Sequence, residues 1–170
     1  VSEAELVACG VGAESFRLKS EWLDILEALK SVGPVMCLAR NDSVVVERHG
    51  SFEEVTSEHG VGLVLGPDLD LRLFLNPWGF GFVVTQKLAS GQRERLQFFD
   101  KSGDAILKVY LTENTDRAAW DALEGQFIDH DEAACSQVLN QLEERAEPKA
   151  ELPDEDIDRR GFTEGWLALK

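Results

Sequence analysis

The sequence predicts an α+β fold: a large, mostly antiparallel β-sheet flanked by helices at both ends of the chain. Three observations carry that prediction. Seven strand-like runs follow one another from residue 34 to 112, helical periodicity is confined to the segments before and after them, and 170 residues suit one domain with a real core.

At the front, Ser2-Glu3-Ala4-Glu5 reads as a capping box, because the Ser2 hydroxyl can accept from the amide of Glu5 while the Glu5 carboxylate reaches back to the Ser2 amide. A short helix ending near Gly10 is expected. Ser20 is then expected to cap a second helix in which Trp22, Ile25, Leu26 and Leu29 share one face, stopping before Gly33-Pro34. The strand runs are VMCLAR, VVVERH, VGLVLG, LDLRLFLN, FGFVVTQK, RLQFFD and AILKVYLT. Asn41-Asp42-Ser43 and Lys101-Ser102-Gly103-Asp104 are short enough to be hairpin loops, which makes their flanking strands antiparallel. Thr115 or Asp116 caps a helix carrying Ala119, Trp120, Leu123 and Phe127, and another helical stretch runs from about Glu132 to Arg145.

Residues 147–158, EPKAELPDEDID, hold two prolines and six acidic residues against one Lys, the composition of a solvated linker. Phe162, Trp166, Leu167 and Leu169 then open an apolar pattern that lasts barely two turns. Either this segment begins another unit or it folds back onto the sheet. The working division is a folded unit at 1–146, an acidic linker at 147–161 and a helix at 162–170. With its apolar stripe in water, the tail is expected to be buried intramolecularly or to drive self-association, giving a homodimer that tightens as salt rises.

Lys plus Arg total 17 against 32 for Asp plus Glu, a net charge of -15 that repels nucleic acid and anionic lipid. No stretch approaches the ~18 uninterrupted apolar residues that a bilayer span requires, so no membrane insertion is expected. Cys9, Cys37 and Cys135 are scattered and odd in number, which suits a reducing cytoplasm better than a disulfide framework. No basic n-region followed by an apolar h-region is visible at the front, which starts with Val1.

The most informative stretch is Leu69 to Asn76. Its leucines occupy every odd position and so share one strand face, leaving Asp70, Arg72, Phe74 and Asn76 on the other. A guanidinium between polar and aromatic neighbours suits a carboxylate, a flat π-system or a polar ligand. The alternative is an exposed Arg72 paired with Asp70 or a cross-strand acid. His49, His59 and His130 sit beside turn residues without the i, i+4 spacing of a metal site, and no nucleophile motif is present. Gly79-Phe80-Gly81-Phe82 lacks the Lys and helix of a phosphate loop and reads as close backbone contact within a strand. Arg93, Arg95, Lys101 and Lys108 form a local basic cluster, explained either by cross-strand pairing with acids or by a patch for an anionic ligand.

The segments RND (40–42), GLVLGPDLDLRLFLNPW (62–78) and LQFFDKSGDAILKVYLTENTD (96–116), with the helix from Trp22 to Lys30, resemble the amino-terminal repeat of the cytoplasmic haem-utilisation proteins of Gram-negative bacteria, the HemS/ChuX group or hemin-degrading factors. The resemblance implies two similar repeats, each a large antiparallel sheet with helices, and haem (haem b) held between the first repeat and the start of the second. Arg72 matches the Arg of the family's D-L-R-L-F-L strand, on the distal side of the haem. The proximal histidine of the family follows a W-x-A-L helix, and Trp166-Leu167-Ala168-Leu169 matches that helix at the end of this sequence. A histidine that some members carry in the second strand corresponds to Val46. The resemblance therefore implies a half-protein with the distal wall and no axial His, whose helical front is shortened.

The expected cofactor-binding residues are Arg72 and Phe74, with Leu63 and Leu65 as further wall. The expected function is cytoplasmic haem binding and trafficking, with a haem importer or a haem oxygenase as partners. Oxidative haem degradation would belong to a longer parent, this chain alone binding haem weakly. The rival reading is an acidic protein–protein interaction module without cofactor.

Overall fold

The fold is described from a computed structural model, which describes residues 1–131, 133–145, 147 and 153–169. Glu132, at the expected start of a helix, and 148–152 of the acidic linker lie outside the described residues. In chain order the elements are α1 (Glu3–Ala8), β1 (Glu14–Arg17), α2 (Trp22–Ala28), β2 (Val35–Arg40), β3 (Val45–Gly50), β4 (Glu54–Glu58), β5 (Val61–Leu65), β6 (Asp70–Phe74), β7 (Trp78–Leu88), β8 (Gly91–Asp100), β9 (Ala105–Leu111), α3 (Arg117–Phe127), α4 (Ala134–Gln141) and α5 (Arg159–Ala168). This is the expected α+β class, with every strand pair among the described residues antiparallel. The strands divide, however, into a six-stranded sheet of order β1-β7-β8-β9-β2-β3 and a three-stranded sheet β4-β5-β6.

The capping box forms as read: the Ser2 hydroxyl accepts from the Glu5 amide at 3.3 Å and the Ser2 amide donates to Glu5 Oε2. The cap of α2 does not. Glu21 is the N-cap and makes no side-chain bond, because Leu18 and Lys19 are still held extended by Leu18 N to Gly81 O and Lys19 N to Phe127 O, which delays the turn past Ser20. Ile25, Leu26 and Leu29 are fully buried as their spacing required. Asp116 caps α3 by accepting from the amide of Ala119 at 3.0 Å, while the Thr115 hydroxyl donates to Pro34 O at 2.6 Å.

Two apolar layers cover the two faces of the large sheet. On one face, Leu96, Phe98 and Val109 join Trp120, Leu123 and Phe127 of α3, the apolar side of α2, and Val55, Val64 and Leu73 from the small sheet. On the other, Phe80, Phe82, Val84 and Phe99 lie beneath Ala4 of α1 and Val138 of α4. Gly81 sits where a Cβ would stand 2.9 Å from the Trp22 ring and 3.3 Å from Phe98, so the glycine pair in β7 serves close approach, as its sequence context indicated. Cys37 lies within the first layer, where burial pushes its thiol up to about 12.

Every described residue of α5 is exposed, and Phe162, Trp166 and Leu167 are 66–76% accessible. The reading in which this segment folds back onto the sheet is therefore set aside. The apolar rows of β7 and β8 are already covered by helices and the small sheet. No helix among the described residues is long and apolar enough to cross a membrane.

Helix α1 is pinned to the large sheet through one carboxylate. Glu3 Oε1 accepts from Lys108 Nζ at 2.6 Å and from Gln97 Nε2 at 2.8 Å, and Gln97 in turn accepts from Arg95 Nε at 2.9 Å. This satisfies Gln97, which is fully buried. Burial opposes ionisation of Glu3, but the hydrogen bonds from Lys108 and Gln97 outweigh it and the pKa is lowered. A carboxylate with a depressed folded pKa contributes stability that is present above its unfolded value, about 4.3, and lost as pH falls through the folded value. Glu3→Gln is expected to be less stable than wild type at pH 7 and to lose less on acidification. Urea unfolding at pH 7, 5 and 3.5 checks this, and parallel losses in the two proteins would refute it.

Candidate functional site

The three-stranded sheet has two faces of opposite character. Alternation along β6 buries Leu69 and Leu73 and leaves Asp70, Arg72 and Phe74 exposed, as the sequence pattern required. In β5 the same alternation buries Gly62 and Val64, leaves Val61 and Leu63 half-buried and exposes Leu65. The register then fixes who stands beside whom. Leu63 is opposite Arg72, Leu65 opposite Asp70, and Val61 opposite Phe74.

All four residues expected at the site, Arg72, Phe74, Leu63 and Leu65, thus come together on one outward face. Val61, which sequence reasoning did not single out, belongs with them; its place two residues before Leu63 was the available signal. Leu63 and Leu65 are not ordinary core, since their face points away from the buried side of the sheet. Phe74 is 65% exposed, an accessibility unusual for a large aromatic side chain and therefore informative.

Arg72 Nη1 lies 3.6 Å from Asp70 Oδ1, with about two-thirds of each side chain in solvent. The pairing expected as the alternative does form. An exposed pair of this kind contributes only about 0–1 kcal/mol, so the guanidinium can exchange Asp70 for a ligand at little cost. What holds the face is the other side of the sheet. Val55, Val64, Leu69 and Leu73 join the main core, Arg48 Nε donates to Asp68 O at 2.8 Å, and Gly50 lets the Asp68-Leu69 turn cross directly over the end of β3. A buried underside therefore presents an apolar strip, Val61, Leu63, Leu65 and Phe74, with the exposed cation of Arg72 at its centre.

The histidines do not converge here. His49 is exposed on β3 of the large sheet and His130 follows α3, whereas His59 occupies the β4–β5 turn at φ 52°. Among the described residues, no three His, Cys, Asp or Glu side chains are grouped to hold a metal ion.

Residues 1–127 match the family model for the haemin-degrading HemS.ChuX domain. The chain belongs to the HemS/ChuX family. It is 42% identical over 165 residues to the hemin transport protein HmuS of Yersinia pestis, covering 96% of this chain and 48% of that protein. Among solved structures of the HemS/ChuX family, holo-PhuS, a heme-binding protein from Pseudomonas aeruginosa, superposes with a TM-score of 0.85 at 40% identity over 100% of this chain and 49% of its own. The E. coli heme oxygenase ChuS gives 0.73 at 46% identity over 78% of this chain and 40% of its own. The chain thus spans about half the length, or somewhat less, of these three proteins.

Proposed function

We propose that this chain binds haem as cargo in bacterial haem-iron utilisation, using the outward face of the three-stranded sheet as one wall of the site. The observation that carries the reading is the convergence of Arg72, Phe74, Leu63 and Leu65 on that face, in a chain whose relatives include a hemin transport protein and a heme-binding protein. Haem supplies the iron and its redox chemistry; the protein supplies binding and orientation. Phe74, Leu63, Leu65 and Val61 offer the flat apolar contact a porphyrin needs, and Arg72 brings donors and positive charge to the middle of it. Asp70 pairs with the guanidinium until cargo displaces it. Degradation of the cargo belongs to this reading only as an activity of a longer relative-like protein.

Titrating haemin into the chain while following the Soret band tests the proposal. A saturable change that Phe74→Ala and Leu63→Glu both weaken supports it. No change, or one indifferent to both substitutions, leaves the rival reading, a protein-docking module without cofactor.

A further inference from the structure

The basic cluster noted in the sequence takes no part in the Arg72 face. Lys101 stays in the β8–β9 turn, and Lys108 is bonded to Glu3. Arg93 and Arg95 do something else. Both guanidinium groups lie over the ring of Tyr110, at 6.0 and 5.7 Å from its centroid. The register places Tyr110 between Arg95 on β8 and Met36 on β2, with His49 of β3 beyond Met36. Among the described residues neither arginine is ion-paired with a carboxylate, although the chain carries 32 acids.

Alternation puts Met36, Leu38 and Arg40 of β2 and Lys108 and Tyr110 of β9 on this same face. Helices α1 and α4 cover its β7–β8 side, where Phe80, Phe82, Val84 and Phe99 are buried, and reach Ala105 and Lys108 of β9. Toward β3 the face is bare, and a shallow depression of about 360 Å³ is lined by Met36, Leu38, Glu47, His49, Arg93 and Tyr110, among others. Arg40 and Lys108 lie among the acids Glu3, Asp42 and Asp104, so the cations that face outward here without an acid beside them are Arg93 and Arg95, with Glu47 at the opposite, β3 end.

We propose that this open half of the six-stranded sheet docks a partner protein through an acidic segment that carries aliphatic side chains between its carboxylates. Tyr and Arg are among the side chains that concentrate binding energy at interfaces, where Met is also enriched, and here Arg93 and Tyr110 border an apolar centre of Met36 and Leu38. The depression is too shallow to bury most of a small ligand, which needs enclosure, but it suits a surface laid across it. A second copy is disfavoured, since two such faces would set cation against cation and two chains of charge -15 repel. Glu47 at the β3 end gives the patch a direction, with the partner's carboxylates toward β8.

Tyr110 is the single tyrosine, so 3-fluorotyrosine labelling of the whole chain gives one fluorine resonance that reports this face alone. The probe is a synthetic nonapeptide alternating Glu and Leu, with an equally charged Glu and Ser peptide as control. The resonance is expected to shift saturably with the Leu peptide, at least about tenfold more tightly than with the control, and Arg93→Ala is expected to weaken it about tenfold at unchanged thermal midpoint. Equal response to both peptides, loss of the shift in Arg72→Ala, or indifference to Arg93→Ala would overturn the proposal. So would a dimer, seen by sedimentation, that Arg93→Glu disperses.

Discussion

Phe98→Ala should be the most damaging single core truncation, costing about 3–5 kcal/mol and threatening the fold outright. Phe98 is fully buried at the centre of β8, with its ring 4.7 Å from that of Trp78 and 6.1 Å, edge-on, from that of Trp22. The three rings join β7, β8 and α2, and the close approach of Gly81 leaves no side chain able to collapse into the space. A cavity here stays open. Trp78 loses its nearest ring contact, while its buried Nε1 has no hydrogen-bond partner among the described residues. Urea unfolding should show a lower midpoint with an unchanged slope. A loss below about 1 kcal/mol would mean that Trp22 and Trp78 refill the gap, and that this junction is looser than its geometry indicates.

The same junction shows what was readable in the sequence and what was not. Leu69 to Asn76 declared both its strand and its two faces, because strict alternation has one structural meaning when one side is leucine throughout. Val35–Arg40 and Ala105–Leu111 were legible as apolar runs bounded by turn residues. By contrast Glu14–Arg17 and Glu54–Glu58 are short and largely polar, and each lies at a sheet edge. Their strand state comes from pairing with β7 and β5 across the chain, which local pattern does not record.

The division into two sheets was equally hidden. It depends on the chain leaving β3 at Gly50, burying Phe52, and returning through the Asp68-Leu69 crossing, all of them long-range contacts. For the proposed haem wall, Arg72, Phe74, Leu63 and Leu65 were readable one by one, but their adjacency is a matter of β5–β6 register. Likewise Arg93, Arg95 and Tyr110 were visible as residues, while their stacking follows from pairing Arg95 with Tyr110.

Arg72→Ala is expected to separate ligand binding from stability more cleanly than any other substitution in the chain. The Arg72–Asp70 pair is 3.6 Å apart and largely in solvent, so removing either partner should change stability by no more than about 1 kcal/mol. Their effects on haemin should differ. Losing the guanidinium removes the cation at the centre of the apolar strip, and a loss of about tenfold or more in affinity is expected, the scale of one charge-assisted hydrogen bond. Losing the carboxylate frees the guanidinium, so Asp70→Ala should bind haemin at least as well as wild type. Arg72→Lys discriminates further, since it keeps the charge but not the planar fork, and only partial recovery is expected. Soret titrations and urea unfolding of the three variants provide the check. If Arg72 served only as a structural partner of Asp70, Arg72→Ala and Asp70→Ala would show the same small stability loss and the same Soret titration as wild type. If charge alone mattered, Arg72→Lys would match wild type. The pattern of strong loss, no loss and partial recovery requires a guanidinium that reaches outward from β6 to the bound cargo.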